Sequence, residues 1–282
     1  MSINNIFYNI DYIIYICVGH GVSFFKYFLY ADYSCYGQKR YDKLLIPPSN
    51  ILVNVAKKYG WEEENIIKMN LPRWDKYNNN NLNNFNEESN IYNNSIFIMF
   101  TWRKLKKNKF LSNFYIKNII NLINNENLNY EIKIKNIKVY FALHHKLWEY
   151  KNYFKNNKYI EYIEENKISE CLSKSNLVVS DFSSIIFDYI YRRMPFIIYI
   201  PDANDPDIDI IYNKNYFELI QSIKNGTINF INQYYEINKA IKKIIFYIKN
   251  DFHLEPKFEQ FYNNFNLEKK NNTKLFINYI IK

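Results

Sequence analysis

The sequence predicts an α/β protein built on a parallel sheet covered on both faces. Short apolar runs such as SIFIMF (95–100), KVYFAL (138–143), NLVVS (176–180) and PFIIYI (195–200) are nearly continuous, as strands buried on both faces are. Segments of helical periodicity separate them, the alternation a parallel sheet requires. A polar tract, NNNNLNNFNEESNIYNN (78–94), has no face to bury and divides the chain as a linker.

The elements follow in order. YIIYICV (12–18) reads as a buried strand that ends in Gly19-His20-Gly21. A short aromatic-rich helix comes next, then the apolar run LLIPP (44–48), a helix over NILVNVAKKYG (50–60) and a short strand IIKM (66–69). That strand leads into Leu71-Pro72-Arg73-Trp74-Asp75. Beyond the linker come strand SIFIMF, a helix around 110–125, strand KVYFAL, helix ISECLSKS (168–175), strand NLVVS, helix SSIIFDYIYRR (183–193) and strand PFIIYI. Residues 234–249 and 256–281 carry amphipathic helices that close the domain. The expected division is a lobe over 1–77, a linker over 78–95, a second lobe over 96–250 and C-terminal helices over 251–282.

Composition narrows the class. A chain of 282 residues can bury a sizeable core. Of 37 basic residues five are arginine, which leaves 37 − 5 = 32 lysines, beside abundant Asn, Ile, Tyr and Phe and only 5 glycines. AT-rich codons encode that set, so the net charge of +9 does not argue for nucleic acid. It does favour phosphate-rich ligands or anionic lipid head groups. Cys17, Cys35 and Cys171 are scattered, with neither a disulfide framework nor zinc spacing, as in a reducing compartment. No apolar run reaches the length of a membrane span, and the N-terminus lacks the order of a signal peptide. The expected location is cytoplasmic, with a peripheral contact at the inner face of the membrane left open.

Ligands of open parallel sheets bind beyond the carboxyl ends of the strands. Those ends carry Gly19-His20-Gly21, then Thr101-Trp102-Arg103, then His144 and His145, then Asp181 to Ser184, then Pro201 and Asp202. Three of the four histidines fall there. Ser183 and Ser184 open a helix, where unpaired N–H groups and the helix dipole suit phosphate oxygens. The other reading is that Asp181 or Ser183 merely caps that helix; His144 and Arg103 on the same rim favour the anion. His20, flanked by glycines, suits a general base. His144 and His145 are adjacent, so on a continuing strand only one would face the site. The loop Asp205-Pro206-Asp207-Ile208-Asp209 lacks the glycine and glutamate of a calcium loop, and neither dinucleotide nor Walker motifs occur. No metal and no cofactor is expected.

The order H-G, P-R-x-D, T-W-R, L-H, S-D-F-S-S-x-x-F-D and P-x-I-x-Y-x-x-D resembles the CDP-glycerol glycerophosphotransferase family, the teichoic-acid and capsule polymerases. Its elements here are His20-Gly21, Pro72 to Asp75, Thr101 to Arg103, Leu143-His144, Ser180 to Asp188 and Pro195 to Asp202. The resemblance implies a two-lobed, GT-B-like α/β fold with a doubly wound C-terminal lobe. It implies a shortened N-terminal lobe, since 18 residues precede Gly19 where the family has more. It also implies a CDP-glycerol or related CDP-alcohol donor, a polymer or lipid-linked acceptor, and release of CMP. By the same resemblance His20 is the catalytic base, and Gly21, Arg73, Thr101, Arg103, His144, Asp181, Ser183, Ser184 and Asp202 bind substrate. His145 stands where the family has proline. Two alternatives share the scaffold: a nucleotide-sugar glycosyltransferase, which would release UDP or GDP, and a donor-binding remnant without turnover.

Overall fold

The computed structural model describes residues 16–17, 42–58, 60–78, 94–101, 113–154, 157–181, 183–205, 232–263, 265 and 270–281. In chain order the elements begin with β1 (Ile16–Cys17), β2 (Lys43–Ile46), α1 (Asn50–Lys58) and β3 (Ile66–Lys68). Then come β4 (Ser95–Phe100), α2 (Asn113–Ile123), α3 (Glu126–Ile134), β5 (Lys138–Leu143), β6 (Ile160–Ile163), α4 (Ile168–Lys174) and β7 (Leu177–Ser180). The last are α5 (Ile185–Arg192), β8 (Phe196–Tyr199), β9 (Gln233–Tyr234), α6 (Ile237–Lys249), α7 (Pro256–Tyr262) and α8 (Asn272–Ile281). Short 3₁₀ turns join several of them, the longest over His145–Tyr153.

Two compact units result, Met1–Asp75 with Asn264–Lys282, and Lys76–Asn263. The expected C-terminal helical segment over 251–282 is therefore divided: α7 belongs to the second unit and α8 to the first. Phe258, Phe261 and Tyr262 of α7 are buried, with Phe258 edge-on to Phe196 of β8 at 5.3 Å. Of the expected linker, residues 79–93 lie outside the described residues.

In the first unit β1, β2 and β3 form a parallel three-stranded sheet in that order. Leu44, Leu45 and Ile46 bury the middle strand. The turn after α1 contains Gly60, whose φ of 90° only glycine holds without cost. Gly60 N–H donates to Lys57 O and Trp61 N–H to Ala56 O, closing the helix with Trp61 folded into the core. Helix α8 starts under Asp75, whose carboxylate accepts from Asn272 N at 2.7 Å and Thr273 N at 2.8 Å. Burial opposes ionisation of Asp75, but the bonds from Thr273 and Asn272 outweigh it and hold the carboxyl below its ordinary value. A depressed folded value means that this stabilisation is complete above the unfolded value of about 4 and is lost as pH falls through the folded one. Asp75→Ala is expected to weaken α8 by at most about 1 kcal/mol, since solvent screens part of the interaction. Faster amide exchange confined to the first turn of α8 checks it; unchanged protection there would refute the capping role.

In the second unit the sheet order is β6-β5-β4-β7-β8-β9, every neighbouring pair parallel. Counted along the chain of this unit, that is order 3-2-1-4-5-6, the doubly wound arrangement. Phe97, Phe100, Phe141, Leu177, Val178, Phe196 and Tyr199 are fully buried in it. Burial on this scale explains why the strands read as unbroken apolar runs. The short elements α3, β6 and β9 escaped sequence reading. Their faces are mixed: β6 (IEYI) has one fully buried residue, Ile163, and α3 buries Leu128 and Ile132 while exposing Tyr130 and Ile134. Arg192 braces α4 against α5: its guanidinium donates to the carbonyls of Leu172 (2.9 Å) and Ser173 (2.8 Å) and lies over the rings of Tyr77 and Tyr189.

Candidate active site

Strand β4 is laid down first in the second unit; β5 and β6 follow on one side of it and β7 to β9 on the other. The chain therefore leaves β4 and β7 in opposite directions, the switch point at which sheets of this kind open a binding crevice beyond the carboxyl ends. Thr101 follows β4 and Asp181 follows β7. Met99 and Ser180 are register partners, and Ser180 Oγ donates to Met99 O across the pair. Just beyond this pair, Thr101 N–H donates to Asp181 Oδ1 at 2.9 Å, and Thr101 Oγ1 reaches both Asp181 oxygens at 2.9 Å. Asp181 is fully buried. Its carboxylate thus staples the two diverging loops at the floor of the crevice.

That staple is tied outward by α2. Tyr115 Oη donates to Thr101 O at 2.6 Å, and Asn118 Nδ2 donates to Pro201 O at 2.7 Å, at the turn that follows β8. The two side chains are three residues apart and so share a helix face. Sequence reading missed both, because nothing in an amphipathic stretch marks which polar residues will reach a neighbouring loop.

The serine pair sits over this floor. Ser183 is buried and Ser184 partly exposed at the start of α5. Ser184, in the N-cap place, has helical backbone angles and makes no side-chain cap bond. Ser183 Oγ accepts from Ile185 N at 3.4 Å, a long bond. Both Asp181 oxygens accept bonds from Thr101. The helix start thus retains its positive end next to two hydroxyls, an arrangement that can receive an anion.

Strand β5 runs beside β4, with Leu143 paired to Phe100, so Thr101 and His144 leave adjacent strands side by side. His144 is partly buried, and its carbonyl accepts from Leu147 N at 2.7 Å as the 3₁₀ turn begins. Because β5 stops at Leu143, strand alternation does not sort His144 from His145. Asp202 lies fully buried in the turn after β8. Burial, and then the Asp202 charge, push the Tyr199 phenol far up. In the first unit Arg73 is exposed, while Trp74 is buried and Asp75 caps α8, so two residues of the P-R-W-D block have structural work. His20, Gly21 and Arg103 lie outside the described residues. The second unit therefore brings together Thr101, Asp181, Ser183 and Ser184, with His144 and Asp202 at the flanking strand ends. Among the described residues no group of carboxylates, cysteines and histidines could hold a metal ion.

Residues 32–272 match the family described as CDP-Glycerol:Poly(glycerophosphate) glycerophosphotransferase. The chain belongs to this family. The matched stretch contains every expected glycerophosphotransferase site residue except His20 and Gly21, which precede it. The chain is 28% identical over 243 residues to the minor teichoic acid biosynthesis protein GgaB of Bacillus subtilis (strain 168), an overlap of 81% of this chain and 25% of that protein. It is also similar in fold to the wall teichoic acid polymerase TagF, with a TM-score of 0.53, 19% identity and coverage of 86% of this chain and 57% of that one. A TagF variant soaked with CDPG superposes with a TM-score of 0.52 at 20% identity, again over 86% of this chain and 57% of that one. The chain thus spans a quarter of GgaB and somewhat over half of TagF. Among the described residues no helix is long and apolar enough to cross a membrane.

Proposed function

We propose that the chain transfers glycerol phosphate, or a related polyol phosphate, from a CDP-linked donor to a hydroxyl of a cell-surface polymer or lipid-linked acceptor. The observation that carries this reading is the family match over the crevice loops, Thr101, His144 and the stretch from Asp181 to Ser184. In the reaction an acceptor hydroxyl oxygen forms a bond to the β-phosphorus of the donor. The bond from that phosphorus to the bridging oxygen breaks, and CMP leaves with the electron pair. His20 takes the acceptor proton. The start of α5 with Ser183 and Ser184 would receive diphosphate oxygens, and His144 and Arg103 would offset the charge that gathers on CMP. Arg73 and Gly21 would belong to the acceptor side. Thr101 and Asp181 act here by holding the loops that present these groups, Asp181 through its bonds to Thr101, and Asp202 would bind the donor. The protein would work on the cytoplasmic side of the membrane, where its basic charge favours an anionic surface.

Donor selectivity tests the reading. CDP-glycerol or CMP at about a hundred times its Kd should stabilise the protein by about 2.7 kcal/mol in a thermal shift experiment. CMP should also be released on adding an acceptor. Stabilisation by UDP- or GDP-sugars and none by CDP-glycerol would replace it with glycosyl transfer; donor binding without turnover on any acceptor would leave a binding remnant.

A further inference from the structure

The crevice lies at the carboxyl ends of the strands. At the opposite edge of the same sheet, the starts of β5 and β6 and the last turn of α3 enclose a second cleft of about 500 Å³. Its shape comes from the way α3 ends. Asn136 takes a φ of 50°, its N–H donates to Lys133 O, and Ile137 N–H donates to Ile132 O, so the chain turns sharply into β5. Lys133 of the helix end, Lys138 of the strand start, and Lys158 and Tyr159 before β6 all line the cleft.

Three cations line the cleft, and their circumstances differ. Lys138 is neutralised by Glu161 of β6, at 2.9 Å, and lies over the Tyr140 ring. Lys158 sits 5.2 Å from the Tyr159 ring centre. Among the described residues the ammonium groups of Lys133 and Lys158 meet no carboxylate. The cleft therefore keeps two positive charges, and Asn94 and Asn136 also line it. The volume fits a ligand of several polar groups rather than a single ion.

Strand β5 separates this cleft from the crevice by its six residues, roughly 17–20 Å. A donor whose diphosphate rests at α5 does not span that distance. A repeating polyol phosphodiester does, and its chemistry matches the lining: anions at intervals for the lysines, hydroxyls between them for the amides. We infer that this cleft grips the acceptor polymer several units away from its reacting end. The identity of the polymer rests on the function proposed above; the phosphodiester preference rests on the cleft. Gripping at two places on one chain raises affinity without new contacts at the crevice, and only for acceptors long enough to reach both.

The test is a titration of soluble synthetic oligo(glycerol phosphate), short and long, into wild-type protein and into the double variant Lys133→Glu, Lys158→Glu. CMP is titrated in parallel. The long oligomer should bind wild type tighter than the short one, and the double variant should lose about tenfold in affinity for it together with that length preference, with CMP affinity unchanged. Equal affinity in both proteins, or no oligomer binding to wild type, overturns the inference. So does a loss of binding to phosphatidylglycerol vesicles with soluble oligomer binding unchanged, which would make the cleft a lipid contact. Failure of CMP to bind wild type would sink the proposed function alone, because oligomer affinity still reports on the cleft. If circular dichroism shows the double variant unfolded, Lys133→Ser with Lys158→Ser removes the charges without reversing them and reads out the same loss.

Discussion

Under the proposed reaction, replacing His20 with alanine is expected to lower the rate of CMP release by about 10³-fold while CDP-glycerol affinity changes little, the effect of removing a positioned general base. An acceptor hydroxyl is a poor nucleophile until its proton has somewhere to go, and CMP departs readily only if attack has developed. His20, set between Gly19 and Gly21 at the end of a strand-like run, is the group that the H-G block offers for this task. The donor, by contrast, is expected to be gripped by the second unit, at α5 and its neighbouring strand ends, so affinity and rate should separate. Single-turnover measurement of CMP beside calorimetric titration of CDP-glycerol makes the comparison. A variant that keeps more than a tenth of the wild-type rate would remove His20 from the chemistry.

Asp181→Ala is expected to cost about 3 kcal/mol of stability in urea unfolding. The carboxylate is fully buried and accepts from the Thr101 N–H and from the Thr101 hydroxyl, which its two oxygens share, so its removal takes away the acceptor of both groups. The loss should be strongly coupled to Thr101→Val, because each variant breaks the same staple; a double-mutant cycle should return at least about 1 kcal/mol of interaction energy. A residue that touched only substrate would behave otherwise. It would lower donor affinity and leave the urea midpoint in place, and that outcome would return Asp181 to the ligand. Donor affinity should also fall in Asp181→Ala, since the loops from β4 and β7 lose their common floor, and Asp181→Asn, which keeps one acceptor oxygen for Thr101 N–H, should recover part of both losses.

Legibility varied with how locally each feature is specified. Strands β4, β5, β7 and β8 could be read because nearly every residue of a doubly covered strand is apolar, a constraint visible in four to six letters. Helix α5 could be read from its stripe and from the serines ahead of it. Strand β9 is two residues long, too short for any window to carry a periodic signal. The end of α5 was read to within one residue, although Arg193 takes the left-handed turn there at φ 54°, where glycine or asparagine is the usual marker.

Residue types and their order settled the fold class, the strand-end loops and the family resemblance, because each depends on near neighbours in the chain or on motifs kept in sequence. Pairings across the sheet were beyond reach of that kind of reading. That Asp181 accepts bonds from Thr101, that Tyr115 and Asn118 brace the crevice, and that Asp75 caps a helix 197 residues away all follow from which strands lie side by side. A polar side chain has several nearby partners within hydrogen-bonding reach of its own segment, and packing of distant segments chooses among them.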